Sequence, residues 1–226
     1  MSQNSPAKFD AYAESYEKLH ATNVAITGEE TGYFSEYKVN CLKRMGVDPN
    51  AALLDFGCGI GNVTEKLALS FSNVHGYEPS PLSAEKARER VPSATIHDQL
   101  DSIPKGTFST AILSTVLHHV PPAERHGVMC QVLERLAPGG RLFIFEHNPF
   151  NPLARYAVAT CPFDDDAILL YPTEQRRLLR DAGFEDVKLD YIVFFPRPLA
   201  FLRSLEPKLS WLFLGAQTMA YGRKPG

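Results

Sequence analysis

The sequence predicts an α/β fold: a doubly wound, seven-stranded, mostly parallel sheet with an antiparallel edge strand. From Ala51 onward, short apolar runs alternate with segments of helical periodicity, the pattern of parallel strands joined by helices. The first apolar run ends in a glycine-rich turn, DFGCGIGN, that leads into a helical segment. Two late runs, VKLDYIVFF and TMAYGRKP, flank an inserted apolar segment, which favours antiparallel pairing at one edge.

Length and composition allow one sizeable core and disfavour several classes of partner. The chain has 226 residues, of which 44% are hydrophobic and 22% charged. A formal net charge of -3, without a basic run, disfavours nucleic acid as a partner. We find no signal-peptide pattern and no apolar run of membrane-spanning length. Four separated cysteines fit reduced thiols, so we expect a cytoplasmic protein.

Two helical stripes precede the sheet. The first lies in residues 7–20 and spaces its apolar side chains by three and four: Phe9, Tyr12, Tyr16 and Leu19. The second runs from Tyr33 to Met45. We therefore expect an N-terminal helical part, residues 1–48, ahead of the sheet in residues 49–226, within a single-domain protein.

The elements of the sheet follow in order along the chain. Strand and helix alternate through AALLDFG, NVTEKLALSF, NVHGYEP, SAEKARERV, SATIHD, FSTAILSTVL, PAERHGVMCQVLERLAPGG and RLFIFEHN. Such alternation implies right-handed crossovers and a sheet that is covered on both faces. After residue 149, TEQRRLLRDAGF predicts a helix closed by Gly183, and the two late strands follow.

The glycine-rich turn predicts a cofactor crevice at the carboxyl end of the first strand. Its glycines, Gly57, Gly59 and Gly61, allow backbone angles closed to other residues and let a ligand approach the main chain. A dinucleotide fingerprint would need a glycine where this chain has Asn62, which disfavours a nicotinamide-dependent oxidoreductase.

The GxGxG turn with Asp55 two residues before it resembles the first motif of the class I S-adenosylmethionine-dependent methyltransferases. LAPGGRLFIFE resembles the helix, turn and fifth strand of the same family. The resemblance covers residues 50–147. One feature of the family is missing: its fourth strand usually begins with phenylalanine and aspartate, whereas this chain has Ser109 after Phe108. The resemblance implies a Rossmann-like fold with S-adenosylmethionine as cofactor.

The resemblance also implies a set of cofactor contacts. Asp55, Cys58 and the three glycines would hold the methionine moiety, Glu78 the ribose, and Asp98 the adenine, with His97 or Gln99 beside the ring. Pro79, Ser80 and Ser114 lie at neighbouring strand ends and complete the predicted site with Tyr16. FDAYAESYEKLH resembles the family's N-terminal helices, which close over the cofactor as a lid. Each of these contacts has a purely structural alternative. The glycine-rich segment would be only a tight turn, Glu78 a solvated residue at a strand end, and Asp98 the cap of a helix.

Three histidines are the candidate catalytic residues. His118 and His119 follow the fourth strand, and His147 ends the fifth beside Glu146. Histidine can accept a proton near neutral pH, although at least one of the adjacent pair is expected to pack or cap instead. The motif His-Val-Pro-Pro replaces the Asn/Asp-Pro-Pro-Tyr of enzymes that methylate DNA, tRNA or glutamine, so we disfavour those acceptors.

Two further segments have competing interpretations. The acidic run 164–166 is expected to be solvated or to cap a helix formed by the following residues, ILLY. No metal site is predicted, because the fourth strand ends in Ser114 and Thr115 and not in carboxylates that could bind a magnesium ion. The apolar segment 198–215 is interpreted as a pocket lid or packing insertion, since Pro207 breaks a membrane-surface helix. Peripheral membrane contact stays open, and stable insertion is not expected.

The sequence thus predicts methyl transfer to the oxygen or nitrogen of a small, partly apolar acceptor. Two alternatives remain: carbon methylation of a quinone, polyketide or lipid-type precursor, and a non-catalytic S-adenosylmethionine-binding accessory protein. The expected partner is a small-molecule acceptor, and the oligomeric state is left open.

Overall fold

The computed structural model describes Glu29 and residues 31–226. The predicted stripe of residues 7–20, and Tyr16 with it, lies outside the described residues. The helices are α1 (Thr31–Arg44), α2 (Asn62–Ala68), α3 (Pro81–Arg90), α4 (Pro122–Arg135), α5 (Pro152–Thr160) and α6 (Pro172–Asp181). The strands are β1 (Leu53–Phe56), β2 (Val74–Tyr77), β3 (Thr95–His97), β4 (Phe108–Ser114), β5 (Leu136–His147), β6 (Glu185–Ile192) and β7 (Gln217–Arg223).

The seven strands form one sheet in the order β3-β2-β1-β4-β5-β7-β6. Strands β1 to β5 pair in parallel, while β7 runs antiparallel to both β5 and β6. The predicted fold class is therefore confirmed, and the antiparallel strand lies one place inside the edge. The strand order reverses between β1 and β4, so the ligand crevice of such a sheet opens at the carboxyl ends of these two strands.

Helices cover both faces of the sheet. Leu53 and Leu54 are adjacent in β1, point to opposite faces, and are both fully buried in separate core clusters. Helix α1 contributes Val39, Cys41 and Leu42 to the cluster that contains Leu53. The described part of the N-terminal region is thus packed into the core.

Several helices begin at residues that satisfy the first backbone N–H groups. Ser80 Oγ accepts a hydrogen bond from Ser83 N at the start of α3, and Asn151 Oδ1 accepts one from Ala154 N at the start of α5. Proline occupies the first helical position of α3 to α6, where its missing N–H costs nothing.

The two ambiguous segments differ from simple helices. The ILLY stretch after the acidic run is not helical, and α6 begins only at Pro172, so the expectation of a capped helix there was wrong. The apolar segment forms a 3₁₀ stretch, Arg197–Lys208, that contains Pro207. Among the described residues, we find no helix with both the length and the apolar character needed to cross a bilayer.

Candidate active site

The three glycines of the β1–α2 turn have different structural roles. All have positive φ, at 83° for Gly57, 55° for Gly59 and 85° for Gly61. A Cβ atom on Gly57 would lie 2.7 Å from Val116 Cγ2, and one on Gly61 would lie 3.3 Å from Ala87 Cα. A Cβ on Gly59 would meet no described atom within 4 Å. Packing therefore accounts for Gly57 and Gly61, whereas Gly59 faces open space where a ligand can approach.

Asp55 is the next-to-last residue of β1, just before this turn, and is fully buried. Its Oδ2 accepts a hydrogen bond of 2.7 Å from Thr64 Oγ1, while its Oδ1 has no hydrogen-bond partner among the described residues. Burial raises the pKa of the carboxyl from 3.8 to about 6. A buried acceptor without a donor is costly, and the ammonium group of an amino acid would satisfy it.

Lys38 of α1 is a site residue that the sequence reasoning missed. Its side chain is buried, and its Nζ donates a hydrogen bond of 2.9 Å to Ser114 Oγ at the end of β4. Burial lowers the pKa of Lys38 from 10.5 to about 8, although the charges of Glu146 and Asp55 oppose the shift. The sequence contains a signal that could have identified this residue: a lysine, Lys38, stands on the apolar stripe of α1, between Phe34 and Leu42.

Glu78 joins the ends of β1 and β2. Its Oε2 accepts a hydrogen bond from Gly59 N and its Oε1 accepts one from Ser80 N, both at 2.9 Å. These bonds fix the carboxylate beside the open glycine, and a carboxylate oxygen can accept more than one hydrogen bond. Pro79 is exposed, whereas the buried Cys58 donates its backbone N–H to Tyr77 O.

The residues predicted to contact adenine lie nearer the surface, at the end of β3. The Asp98 carboxylate forms a 2.9 Å ion pair with Arg88, which lowers its pKa. The neighbouring Gln99 side chain is exposed, and its backbone carbonyl accepts a hydrogen bond from Ser102 Oγ. These residues share the crevice rim with Glu78, since β2 and β3 are parallel neighbours.

His118 is held between two carboxylates. Its Nδ1 donates to Glu146 Oε2 at 2.6 Å, and its Nε2 lies 3.5 Å from Asp164 Oδ1. Burial alone would lower the pKa of His118, but the negative charges of Glu146 and Asp164 raise it to about 9. Glu146 Oε1 also accepts a hydrogen bond of 2.8 Å from Leu117 N. His118 is therefore a buried cation at neutral pH, which suits a positioning role better than that of a base.

His119 and His147 lie beside this cation and are uncharged at neutral pH. Burial, reinforced by the charge of His118, lowers the pKa of each to about 4. His119 Nε2 lies 3.3 Å from Asp164 Oδ1, and the ring centroid of His147 lies 5.4 Å from that of His118. The structure thus brings all three predicted histidines together at the ends of β4 and β5.

Asp164 belongs to this cluster because its loop turns back toward β4. The backbone N–H of Ile168 donates to His118 O at 2.8 Å. The fully buried Arg125 of α4 holds the same loop in place. Its guanidinium group donates hydrogen bonds to Ile168 O at 2.6 Å and to the Glu174 carboxylate, in α6, at 2.7 Å. The first residue of the acidic run is therefore a site residue and not a solvated charge.

An open cleft of about 530 Å³ borders the cluster. Asp164 forms part of its wall together with apolar and aromatic side chains and one cation: Phe150, Tyr156, Leu169 and Arg155. A small molecule with apolar and anionic parts would fit these walls.

Comparisons with known proteins show which proteins this chain resembles. The profile of a family described as "Methyltransferase domain" matches residues 34–189. A trans-aconitate 2-methyltransferase of Mycobacterium ulcerans is 32% identical over 186 residues, which are 76% of this chain and 68% of that protein. A protein of Synechocystis sp., described as an uncharacterized methyltransferase, is 31% identical over 154 residues, or 65% of this chain and 73% of that protein.

Solved structures share the fold. A protein of Thermotoga maritima, described as an S-adenosylmethionine-dependent and possible histamine N-methyltransferase, superposes with a TM-score of 0.68 at 22% identity. The match covers 96% of this chain and 99% of that one. At this identity the likeness supports the architecture alone.

Proposed function

Since this chain belongs to the class I S-adenosylmethionine-dependent methyltransferases, we propose that it methylates a small, partly apolar acceptor at oxygen or nitrogen. S-adenosylhomocysteine is the second product. The observation that carries the proposal is the buried Asp55 Oδ1, an acceptor without a donor among the described residues, beneath the open Gly59. An amino-acid ammonium group is the donor that fits it.

The cofactor contacts follow the strand ends. Asp55 would accept from the ammonium group of the methionine moiety, and the open backbone at Gly59 would let that moiety approach. Glu78 would accept from the ribose hydroxyls, and Asp98 with Gln99 would lie toward the adenine. The bound cofactor supplies an electrophilic sulfonium methyl group. Tyr16 stays a proposed contact outside the described residues.

The chain's own contribution to the chemistry is to position the acceptor and to hold its proton. His119 Nε2, uncharged at neutral pH, would accept the proton of an acceptor hydroxyl, and Asp164 at 3.3 Å would stabilise the resulting imidazolium. His118 would position His119 and Asp164 and remain charged throughout. His147 would line the same rim. An amine acceptor needs no base when it arrives deprotonated.

The activities for which similar proteins are named support a small acceptor that is methylated at oxygen or nitrogen. One relative is named for trans-aconitate, and one structural neighbour is described as a possible histamine N-methyltransferase. The cleft beside Asp164, with aromatic walls and Arg155, suits a partly apolar molecule that carries an anionic group. We further propose a cytoplasmic location, because four separated cysteines fit reduced thiols. We also propose that nucleic acid is not a partner, because the chain has a net charge of -3 and no basic run.

The test is calorimetric titration with S-adenosylhomocysteine, followed by a methyl-transfer screen of small hydroxyl, carboxylate and amine compounds. We expect stoichiometric binding of S-adenosylhomocysteine and none of reduced NAD. His119→Ala should leave that binding unchanged and slow transfer to a hydroxyl acceptor by about 100-fold. An unchanged rate in His119→Ala would remove it as the base, and the absence of binding would overturn the proposed cofactor.

A further inference from the structure

We propose that His118, His119 and Asp164 form a binding site for a divalent transition-metal ion of the zinc class, and that an ion bound there blocks methyl transfer. The first part rests only on the geometry of these side chains. The second part rests on the proposed function, because it requires His119 to act as the base.

Each of the three side chains places one ligand atom close to the ligand atoms of the other two. One ligand atom from each of the three residues, His118, His119 and Asp164, lies within 4.8 Å of the other two. Asp164 Oδ1 lies 3.5 Å from His118 Nε2 and 3.3 Å from His119 Nε2. These distances are long for charged hydrogen bonds. They match the roughly 3.3 to 3.5 Å between neighbouring ligands of a tetrahedral zinc ion with bonds of about 2.0 to 2.1 Å.

The contact on the far side of His118 also fits a metal ligand. Glu146 Oε2 accepts from His118 Nδ1 at 2.6 Å, which leaves Nε2 as the atom directed at Asp164. Metal-ligating histidines characteristically donate their second ring N–H to a carboxylate, because this fixes the ring and increases its basicity. Glu146 is itself held by the backbone N–H of Leu117, so the orientation of His118 is set before any ion arrives.

The ligand set determines the class of ion. Two imidazoles and one carboxylate suit Zn²⁺, Co²⁺ or Fe²⁺, whereas Mg²⁺ and Ca²⁺ require oxygen ligands. The charge is also balanced, because the carboxylates of Glu146 and Asp164 together offset a divalent cation. The ion would replace the proton on His118 Nε2, which passes to solvent. The fourth coordination position remains for water.

Metal binding and proton acceptance at His119 exclude each other. The lone pair of Nε2 that would accept the acceptor's proton is the pair that binds the ion. Asp164 also borders the cleft proposed for the acceptor, so an ion held by Asp164 would lie beside that cleft. A bound ion should therefore inhibit transfer to a hydroxyl acceptor, and a chelator should restore it.

The experiment is titration of the untagged protein with Co²⁺, read by the visible absorption bands of tetrahedral cobalt. We expect one ion per chain in the wild type. Asp164→Asn should weaken binding at least tenfold, as should Glu146→Gln through the orientation of His118. Asp165→Asn is the matched control, since it removes the neighbouring, exposed carboxylate, and it should bind Co²⁺ as the wild type does. Absence of the bands in the wild type, or equal affinity in Asp164→Asn, would overturn the site.

Titration of the same samples with S-adenosylhomocysteine separates the two proposals. Binding of S-adenosylhomocysteine without Co²⁺ means that the metal site is wrong and the proposed function stands. Binding of Co²⁺ by a protein that does not bind S-adenosylhomocysteine means that the metal site stands and the proposed function is wrong. Transfer to a hydroxyl acceptor at saturating Zn²⁺ then tests the second part: inhibition reversed by a chelator supports it, and an unchanged rate overturns it.

Discussion

Glu146 accepts a 2.6 Å hydrogen bond from His118 Nδ1, and each side chain is only 1% exposed. The same carboxylate accepts from Leu117 N through its other oxygen. One buried charge therefore fixes both the ring of His118 and the backbone of the turn after β4. The position of the whole histidine cluster depends on it.

Glu146→Gln should destabilise the fold by about 3 kcal/mol, because it leaves the buried His118 charge without its nearest carboxylate. The measurement is urea denaturation at neutral pH. Glu134→Gln is the control, since Glu134 pairs with Lys105 at the surface and its removal should change stability little. Equal midpoints for Glu146→Gln and the wild type would contradict the importance of this pair.

Gly59→Ala should weaken S-adenosylhomocysteine binding at least tenfold while the protein still folds. Its new methyl group would meet no described atom of the chain within 4 Å, so we expect it to obstruct an approaching ligand. Gly106→Ala is a matched control: its φ of 66° is similar to the 55° of Gly59, and its Cβ would also meet no described atom. Both variants should lose about 1 kcal/mol of stability through the left-handed backbone. Equal binding by both would show that no ligand approaches Gly59.

Lys38→Met should change how stability depends on pH. The pKa of Lys38 is about 8 in the folded protein and near 10.5 unfolded, so between these values the unfolded chain binds the extra proton. Stability of the wild type should therefore gain from rising pH between about 8 and 10.5, by up to about 3 kcal/mol, and the variant should lack this gain.

The measurement for Lys38 is the free energy of unfolding at pH 7 and at pH 10. Lys43→Met, which removes an exposed lysine from the same helix, is the control and should follow the wild type. Should Lys38→Met show the same pH dependence as Lys43→Met, the burial of the Lys38 charge would be contradicted.

Tyr37→Phe should loosen the segment after β6. The Tyr37 hydroxyl donates to Glu206 Oε2 at 2.5 Å, and Glu206 Oε1 accepts from the backbone N–H groups of Phe194 and Phe195. Loss of the hydroxyl leaves a buried carboxylate short of a donor, at a cost of about 1 to 3 kcal/mol. Amide exchange at Phe194 and Phe195 should become faster. Tyr156→Phe, at an exposed position, should leave that exchange unchanged.

The fold could be predicted because its signals are local. Each strand and helix has its own periodicity, and the glycine turn identifies the end of β1 from a few consecutive residues. Parallel connection then brings the ends of β1, β2, β4 and β5 to one rim, so Asp55, Glu78, His118 and His147 could be placed together from the sequence alone.

The missed parts of the site depend on contacts between distant segments. Asp164 reaches the histidines only because Arg125 and the His118 carbonyl hold its loop, and these contacts join residues more than 40 positions apart. Lys38 enters the site from α1 because that helix packs against the sheet at one particular rotation. The apolar ILLY stretch is not helical, and the same two contacts engage the backbone N–H and C=O groups of Ile168.

The position of β7 between β5 and β6 has a consequence for how the chain is made. β6 is synthesised before β7, yet β7 is its only partner strand among the described residues. Until β7 is synthesised, both β5 and β6 present unpaired backbone edges, the kind of surface that recruits strands from other nascent chains. A released chain that ends within residues 193–216 would therefore lack β7 and should aggregate through these two edges.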